Sequence, residues 1–119
     1  MFFKLDSFAI IGIHAIKVSV EVHISNGLPS FTIVGLPDKA INESRLRVRA
    51  AIINSEFKFP LKRIIVNLAP ADIKKEGAFY DLPIALAILY VSNQINTVKD
   101  FNFNECCFIG ELSLNGEIS

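Results

Sequence analysis

The strongest constraint on this chain is a polar, charged loop held between two apolar elements. Residues 67–81 read Asn-Leu-Ala-Pro-Ala-Asp-Ile-Lys-Lys-Glu-Gly-Ala-Phe-Tyr-Asp, with Ile64-Ile65-Val66 before them and the nearly unbroken apolar run Leu82 to Val91 after. The first neighbour reads as a buried strand. The second reads as a helix that is apolar all round, the pattern of a core helix. A loop this rich between core elements is kept because the fold or a partner needs it. Asp81 is the expected N-cap of the apolar helix, and Pro83 is tolerated in its first turn because that N–H has no intrahelical partner.

Upstream, Val18, Val20, Val22 and Ile24 alternate with Lys17, Ser19, Glu21 and His23, the period of a half-buried strand. Phe2 to Ile11 reads as an earlier strand ending near Gly12. Ser25-Asn26-Gly27 supplies turn chemistry before Phe31 to Val34, so 17–34 is predicted to be an antiparallel hairpin. Gly35-Leu36-Pro37 closes it, and Asp38 is the expected N-cap of a helix from about Lys39 to Asn54. Ile41, Val48 and Ile52 line one side of that helix, while Leu46, Ala50 and Ile53 line nearly the opposite one, so both sectors are expected to be covered. Glu43 and Arg47 stand at i, i+4 in the favourable order. After Pro60, Arg63 to Leu68 forms the next strand. Asn93 to Asn104 is a polar connection, and Phe108 to Leu114, Asn115-Gly116 and Glu117 onward read as a hairpin. This order argues an α+β fold, with helices packed on one face of a mixed β-sheet. At 119 residues the chain fits one domain with a real core.

Net charge is zero, but its distribution is uneven. Between Lys39 and Lys75 nine basic residues face three acids, a local net of +6. Such asymmetry marks a nucleic-acid face or a charged subunit contact, and ordinary solvated faces produce it as well. Arg45 and Arg49 share a helix side whereas Arg47 points elsewhere. Arg45, Arg49, Lys58, Lys62 and Arg63 are therefore the candidate contacts to DNA or to a neighbouring subunit. No aromatic interleaving supports stacking of single-stranded bases.

Other chemistry is thinly represented. The six glycines are dispersed and none precedes a lysine, so a phosphate-binding loop is not expected in these residues. The adjacent pair Cys106 and Cys107 suits neither a mutual disulfide nor a zinc site. His14 and His23 read as sheet-surface histidines. Asp72, Glu76 and Asp81 crowd the loop like a carboxylate cluster, but with Lys74 and Lys75 interleaved an ion-pair and capping role is the expectation. No signal peptide pattern and no apolar stretch of membrane-spanning length is present, so the cytoplasm is the expected compartment and a membrane is not an expected partner.

Val20-Glu21-Val22-His23-Ile24-Ser25-Asn26-Gly27-Leu28-Pro29, Val34-Gly35-Leu36-Pro37, the helix segment from Arg47-Val48-Arg49 to Ser55, and the loop together resemble the ComM/YifB family of magnesium-chelatase-like AAA+ ATPases. The specific part is the loop signature, with Asn67, Pro70, Asp72, Lys75, Glu76, Gly77 and Asp81 among its residues. The resemblance covers the N-terminal region of that family. It implies that residues 1–119 form a partial Lon-like, ChlI-like domain, with ATP, magnesium, Walker motifs and arginine finger expected only in an AAA+ module beyond Ser119. It further implies a hexameric ring that acts as a DNA helicase in branch migration and recombination during natural transformation. This region would be its non-catalytic accessory domain, binding no cofactor of its own. The alternative is a structural domain for oligomerisation or partner docking with no DNA contact.

The same region is similar to the Lon protease domain and the RadA C-terminal domain, a fold shared with a ribosomal small-subunit protein. Matching the Lon-like stretch to Lys75-Glu76-Gly77-Ala78 puts Phe79 at the nucleophile position. A phenyl ring cannot attack a carbonyl, so peptidase activity is not expected. Lon-like folds continue with a further helix and strand, so apolar surface on the sheet or on helix 39–54 is expected to be exposed in a chain that stops here.

Overall fold

The structure, a computed structural model, describes residues 1–75, 77–96 and 101–118. Strands β1 (Phe2–Ile11), β2 (His14–Ser25) and β3 (Ser30–Val34) precede helix α1 (Asp38–Asn54). Strand β4 (Arg63–Ala69), a 3-10 turn over Gly77–Tyr80 and helix α2 (Asp81–Val91) follow, with a second 3-10 turn at Phe103–Glu105. The four strands form one mixed sheet in the order β1-β2-β4-β3. The α+β class expected from the sequence is what the chain adopts.

The alternation in β2 sorts as anticipated. Val18, Val20, Val22 and Ile24 are buried, with Leu5 of β1 opposite Val20 and with Ile64, Val66 and Leu68 of β4 opposite Ile24, Val22 and Val20. Both helices cover this face, whereas Lys4, Lys17, His23 and Thr32 on the other face are exposed. Helix α2 is the centre of the core: Ile84, Ala87 and Ile88 are fully buried, in keeping with its all-round apolar sequence.

The predicted hairpin over 17–34 does not form. Strands β2 and β3 are separated by β4, which pairs antiparallel with β2 and parallel with β3. Burial explains the order. β4 contributes three fully buried side chains and takes the centre, while β3 buries only Ile33 outright and takes the edge. Joining parallel neighbours requires a crossover, which α1 provides as a β-α-β unit. The tight hairpin lies earlier, between β1 and β2, where Ile11 pairs with His14 across Gly12-Ile13. Gly12 has φ +62 at the first loop position, the requirement of a II′ turn.

Both expected side-chain caps are absent. Asp38 and Asp81 are the first helical residues, Pro37 and Tyr80 hold the cap positions, and neither helix has a side-chain cap hydrogen bond. Each carboxylate still stands in a first turn, where negative charge complements the helix dipole. The second apolar sector of α1 is not covered: Leu46 is 69% and Ile53 48% exposed. The helix instead buries Ser44, Val48, Ala51 and Ile52 against the sheet and α2. Phe108 to Leu114 is not a continuous strand either. A single antiparallel bridge, Leu112 to Ile118, closes the turn at 114–116, and a parallel bridge joins Cys107 to Asp6 at the β1 edge. Both cysteines are free, as expected.

Gly35 makes the turn from β3 into α1 with φ +106, and a Cβ there would lie 2.4 Å from the Leu68 carbonyl oxygen. Gly35→Ala is therefore expected to cost more than about 1 kcal/mol, measured as a lower urea midpoint at unchanged m-value. An unchanged midpoint would contradict this close approach.

Candidate functional site

The signature loop is organised from the inside by two buried charges. Asp81 is fully buried, and its carboxylate accepts four hydrogen bonds. Ser44 Oγ donates at 2.8 Å, Arg47 donates from Nε at 2.5 Å and from Nη2 at 3.2 Å, and the Leu112 N–H donates at 3.3 Å. The two-toothed Arg47 contact is the strong geometry for a carboxylate. Its hydrogen bond to Asp81 holds the guanidinium above its ordinary pKa, against the opposing effect of burial. Arg47 also lies 3.8 Å from Glu43, the i, i+4 pair read from the sequence.

Lys75 is the second buried charge, 3% exposed. Its ammonium donates to the carbonyls of Pro70 and Ile73, the latter at 3.0 Å, and so folds the loop around itself. Burial pushes its pKa below the ordinary lysine value, partly opposed by the charge of Asp72. Asn67, near the end of β4, donates to Glu21 Oε1 at 2.8 Å. Asp72 is exposed in the turn, Gly77 opens the 3-10 turn, and Glu76 lies outside the described residues.

Of the carboxylate cluster considered from the sequence, Asp72 and Asp81 are not brought together, and Glu76 lies outside the described residues. Asp81 points into the core while Asp72 faces solvent, and Lys75 pairs with carbonyls in place of carboxylates. Among the described residues no group of His, Cys, Asp and Glu could hold a metal ion. Phe79 is 47% exposed and lines a cavity of about 160 Å³ with Ile10, Lys74 and Ile109. His14 and His23 are exposed strand residues, as anticipated.

Four of the five candidate basic residues divide between a groove and a cleft, and Arg63 lines neither. Arg45 and Arg49 line a groove with Phe31 and Asn42. Arg45 donates to the Phe31 carbonyl at 3.1 Å and to Asn42 Oδ1 at 2.6 Å, and the Arg49 guanidinium lies 5.0 Å from the centre of the Phe59 ring. Lys58 and Lys62 line a separate cleft of about 740 Å³ on the other side of the 58–62 loop. Arg63 begins β4 opposite Ser25 and Ser30 and is exposed.

Sequence reasoning missed Ser44 and Gln94, and it named Arg47 without its pairing to Asp81. A signal existed for the first: Ser44 is the one polar member of the buried stripe continued by Val48 and Ala51, and a buried hydroxyl needs a partner. Gln94 grips the backbone of Lys58, accepting from its N–H at 2.7 Å and donating to its carbonyl at 2.6 Å. A lone glutamine in a polar connection carries no such signal.

The model of the family described as subunit ChlI of Mg-chelatase matches residues 20–119. Competence protein ComM of Haemophilus influenzae is 50% identical over 114 residues, covering 94% of this chain. The YifB proteins of Salmonella typhimurium and Escherichia coli are 52% and 51% identical over 110 residues, covering 92% of it. The chain belongs to the ComM/YifB family of magnesium-chelatase-like proteins. It spans about a fifth (21%) of the length of these curated relatives. Within this ComM/YifB chain, Lys75 and Asp81 of the signature loop are directed into the interior. Among the described residues, no helix is long and apolar enough to cross a membrane.

Because the Lys75 pKa is lowered in the fold, the folded chain releases that proton at lower pH than the unfolded chain. Stability contributed by the loop should therefore rise as pH climbs through the folded value toward the ordinary lysine value, and level off above it. In an NMR titration of lysine Cε signals, Lys75 is expected to titrate below a free, exposed lysine. A midpoint no lower than that reference would contradict its placement.

Proposed function

We propose that this chain is the non-catalytic accessory domain of a ring-forming ATPase that remodels DNA, acting in branch migration and recombination during natural transformation. The observation that carries the reading is the segregation of charge. Arg45, Arg49, Lys58 and Lys62 line adjoining depressions, and no carboxylate lines either of them. Surfaces of this kind bind phosphate backbones without reading sequence. The name of the Haemophilus relative, a competence protein, agrees with a role in DNA uptake. ATP and magnesium belong, in this reading, to a motor module outside these residues, and the full-length protein works as a cytoplasmic helicase. The non-catalytic assignment also draws on the Lon-like match made from the sequence, in which Phe79 takes the nucleophile's position and a benzyl group cannot attack a carbonyl.

A second reading is favoured by one specific observation. Ile10, Ile13, Phe79 and Ile109 are exposed around the β1–β2 turn and the signature loop, with Ile13 95% exposed. An apolar patch of this kind suits a contact between neighbouring subunits or a docked protein. The readings part in the full-length protein carrying Arg49→Gln, Lys58→Gln, Lys62→Gln and Arg63→Gln together. DNA remodelling predicts at least a 100-fold loss of affinity for a labelled forked oligonucleotide at low salt, with the ring mass unchanged by light scattering. Retained DNA affinity with loss of the ring would overturn it in favour of the assembly role.

A further inference from the structure

The larger basic depression has a more specific shape and chemistry than the charge count alone requires. It is a concave cleft of about 740 Å³ between the 58–62 loop, the end of β2 and the C-terminal end of α2. Every ionisable side chain lining it is basic: His23, Lys58 and Lys62. Neutral amides from Asn26 and Asn93 add hydrogen-bonding groups. No Phe, Tyr or Trp lines it, so it offers no aromatic platform for bases.

The walls are braced from both sides. Gln94 holds the Lys58 backbone through two hydrogen bonds, and the Ser30 N–H donates to the Lys62 carbonyl at 3.2 Å. The C-terminus of α2 would ordinarily repel an anion through its free carbonyls. Here three of the last four carbonyls accept hydrogen bonds. Ile88 receives the Ser92 N–H at 3.1 Å and the Ser92 hydroxyl at 2.7 Å, Leu89 receives the Gln94 N–H at 2.9 Å, and Tyr90 receives the Asn93 N–H at 3.1 Å. The cleft is thus a braced concavity whose ionisable side chains are all basic, with part of the negative helix end next to it hydrogen-bonded.

We infer that this cleft holds the sugar–phosphate backbone of a single-stranded nucleic acid, an assignment that rests on the nucleic-acid reading above. Lys58 and Lys62 each face a phosphate, and Gln94 is a positioning residue that fixes Lys58. A duplex displays its phosphates on a broad convex cylinder and would meet only the rim. A flexible single strand can follow the concavity. With no aromatic platform, the bases stay outside and the contact ignores sequence. An acidic protein segment could satisfy the same charges, but it would not require the phosphate spacing, and it becomes one outcome of the test.

The test measures fluorescence anisotropy of labelled single-stranded and duplex oligonucleotides on the full-length protein between about 50 and 200 mM salt, the range over which counterion release is large. Replacing two phosphate-contacting lysines (Lys58→Gln with Lys62→Gln) should reduce the steepness of log K against log salt for single strands by at least about 1.4. Lys58→Arg with Lys62→Arg should restore it. Lys4→Gln with Lys39→Gln, an equal charge change elsewhere, should leave it unaltered. Homopolymers of different base should bind alike. An unchanged slope in the Lys58/Lys62 variant, with strong binding retained, overturns this site and leaves the broader DNA reading standing. Equal loss on duplex and single strand overturns the strand preference. Binding of polyglutamate with no binding of either oligonucleotide overturns both the site and the reading beneath it.

Discussion

A carboxylate with no solvent exposure has to be neutralised where it lies, and Asp81 is neutralised by segments that are distant along the chain. Ser44 and Arg47 come from α1, and the Leu112 N–H comes from the segment after α2. A charge taken out of water is tolerated only when pairing and hydrogen bonding are close to complete. Asp81 meets that condition only if α1, α2 and the 110–112 backbone are all in place. Two backbone contacts reinforce the same junction: the Gly110 N–H donates to the Phe79 carbonyl at 2.9 Å and the Leu82 N–H to the Gly110 carbonyl at 3.0 Å. The entry to α2 is thereby fixed in position and direction.

From that fixed point the signature loop acquires its form. Asn67 is tied to Glu21 at one end, Asp81 to Arg47 at the other, and Lys75 draws the intervening carbonyls inward. Two of the loop's charges, Lys75 and Asp81, are spent on the interior, and no metal site is built among the described residues. The cationic surface lies elsewhere, along the outer side of α1 and the 58–62 loop. The loop scaffold and the proposed contact residues are therefore different sets of residues, as the sequence already separates them.

What could be read from the sequence follows the range of the interactions involved. The β2 alternation, the buried α2 and the Glu43–Arg47 pair are local patterns, and all three appear in the fold. The misread hairpin shows the limit. Asn26-Gly27 is a sound local turn signal, but the partner of β3 is set by β4, whose three fully buried side chains claim the centre of the sheet. Asp38 and Asp81 carry the composition of N-caps, yet Asp81 is drawn away by an arginine 34 residues earlier. The candidate basic residues could be named from the sequence. Their division into an arginine groove and a lysine cleft could not, because it depends on which side of the 58–62 loop each chain leaves and on the Gln94 clasp.

The Arg47–Asp81 junction is the claim on which the rest stands, and a double-mutant cycle with Arg47→Met and Asp81→Ala tests it most directly. Arg47→Met should lose about 3–5 kcal/mol of stability, because it leaves the fully buried Asp81 charge without its partner, and Asp81→Ala should lose less, because the Arg47 side chain it leaves is partly exposed. The double variant should lose less than the sum, giving a coupling energy of about 2–3 kcal/mol, and hydrogen-exchange protection of the Leu112 amide should fall in Asp81→Ala. Additive losses with Leu112 protection intact would contradict the account.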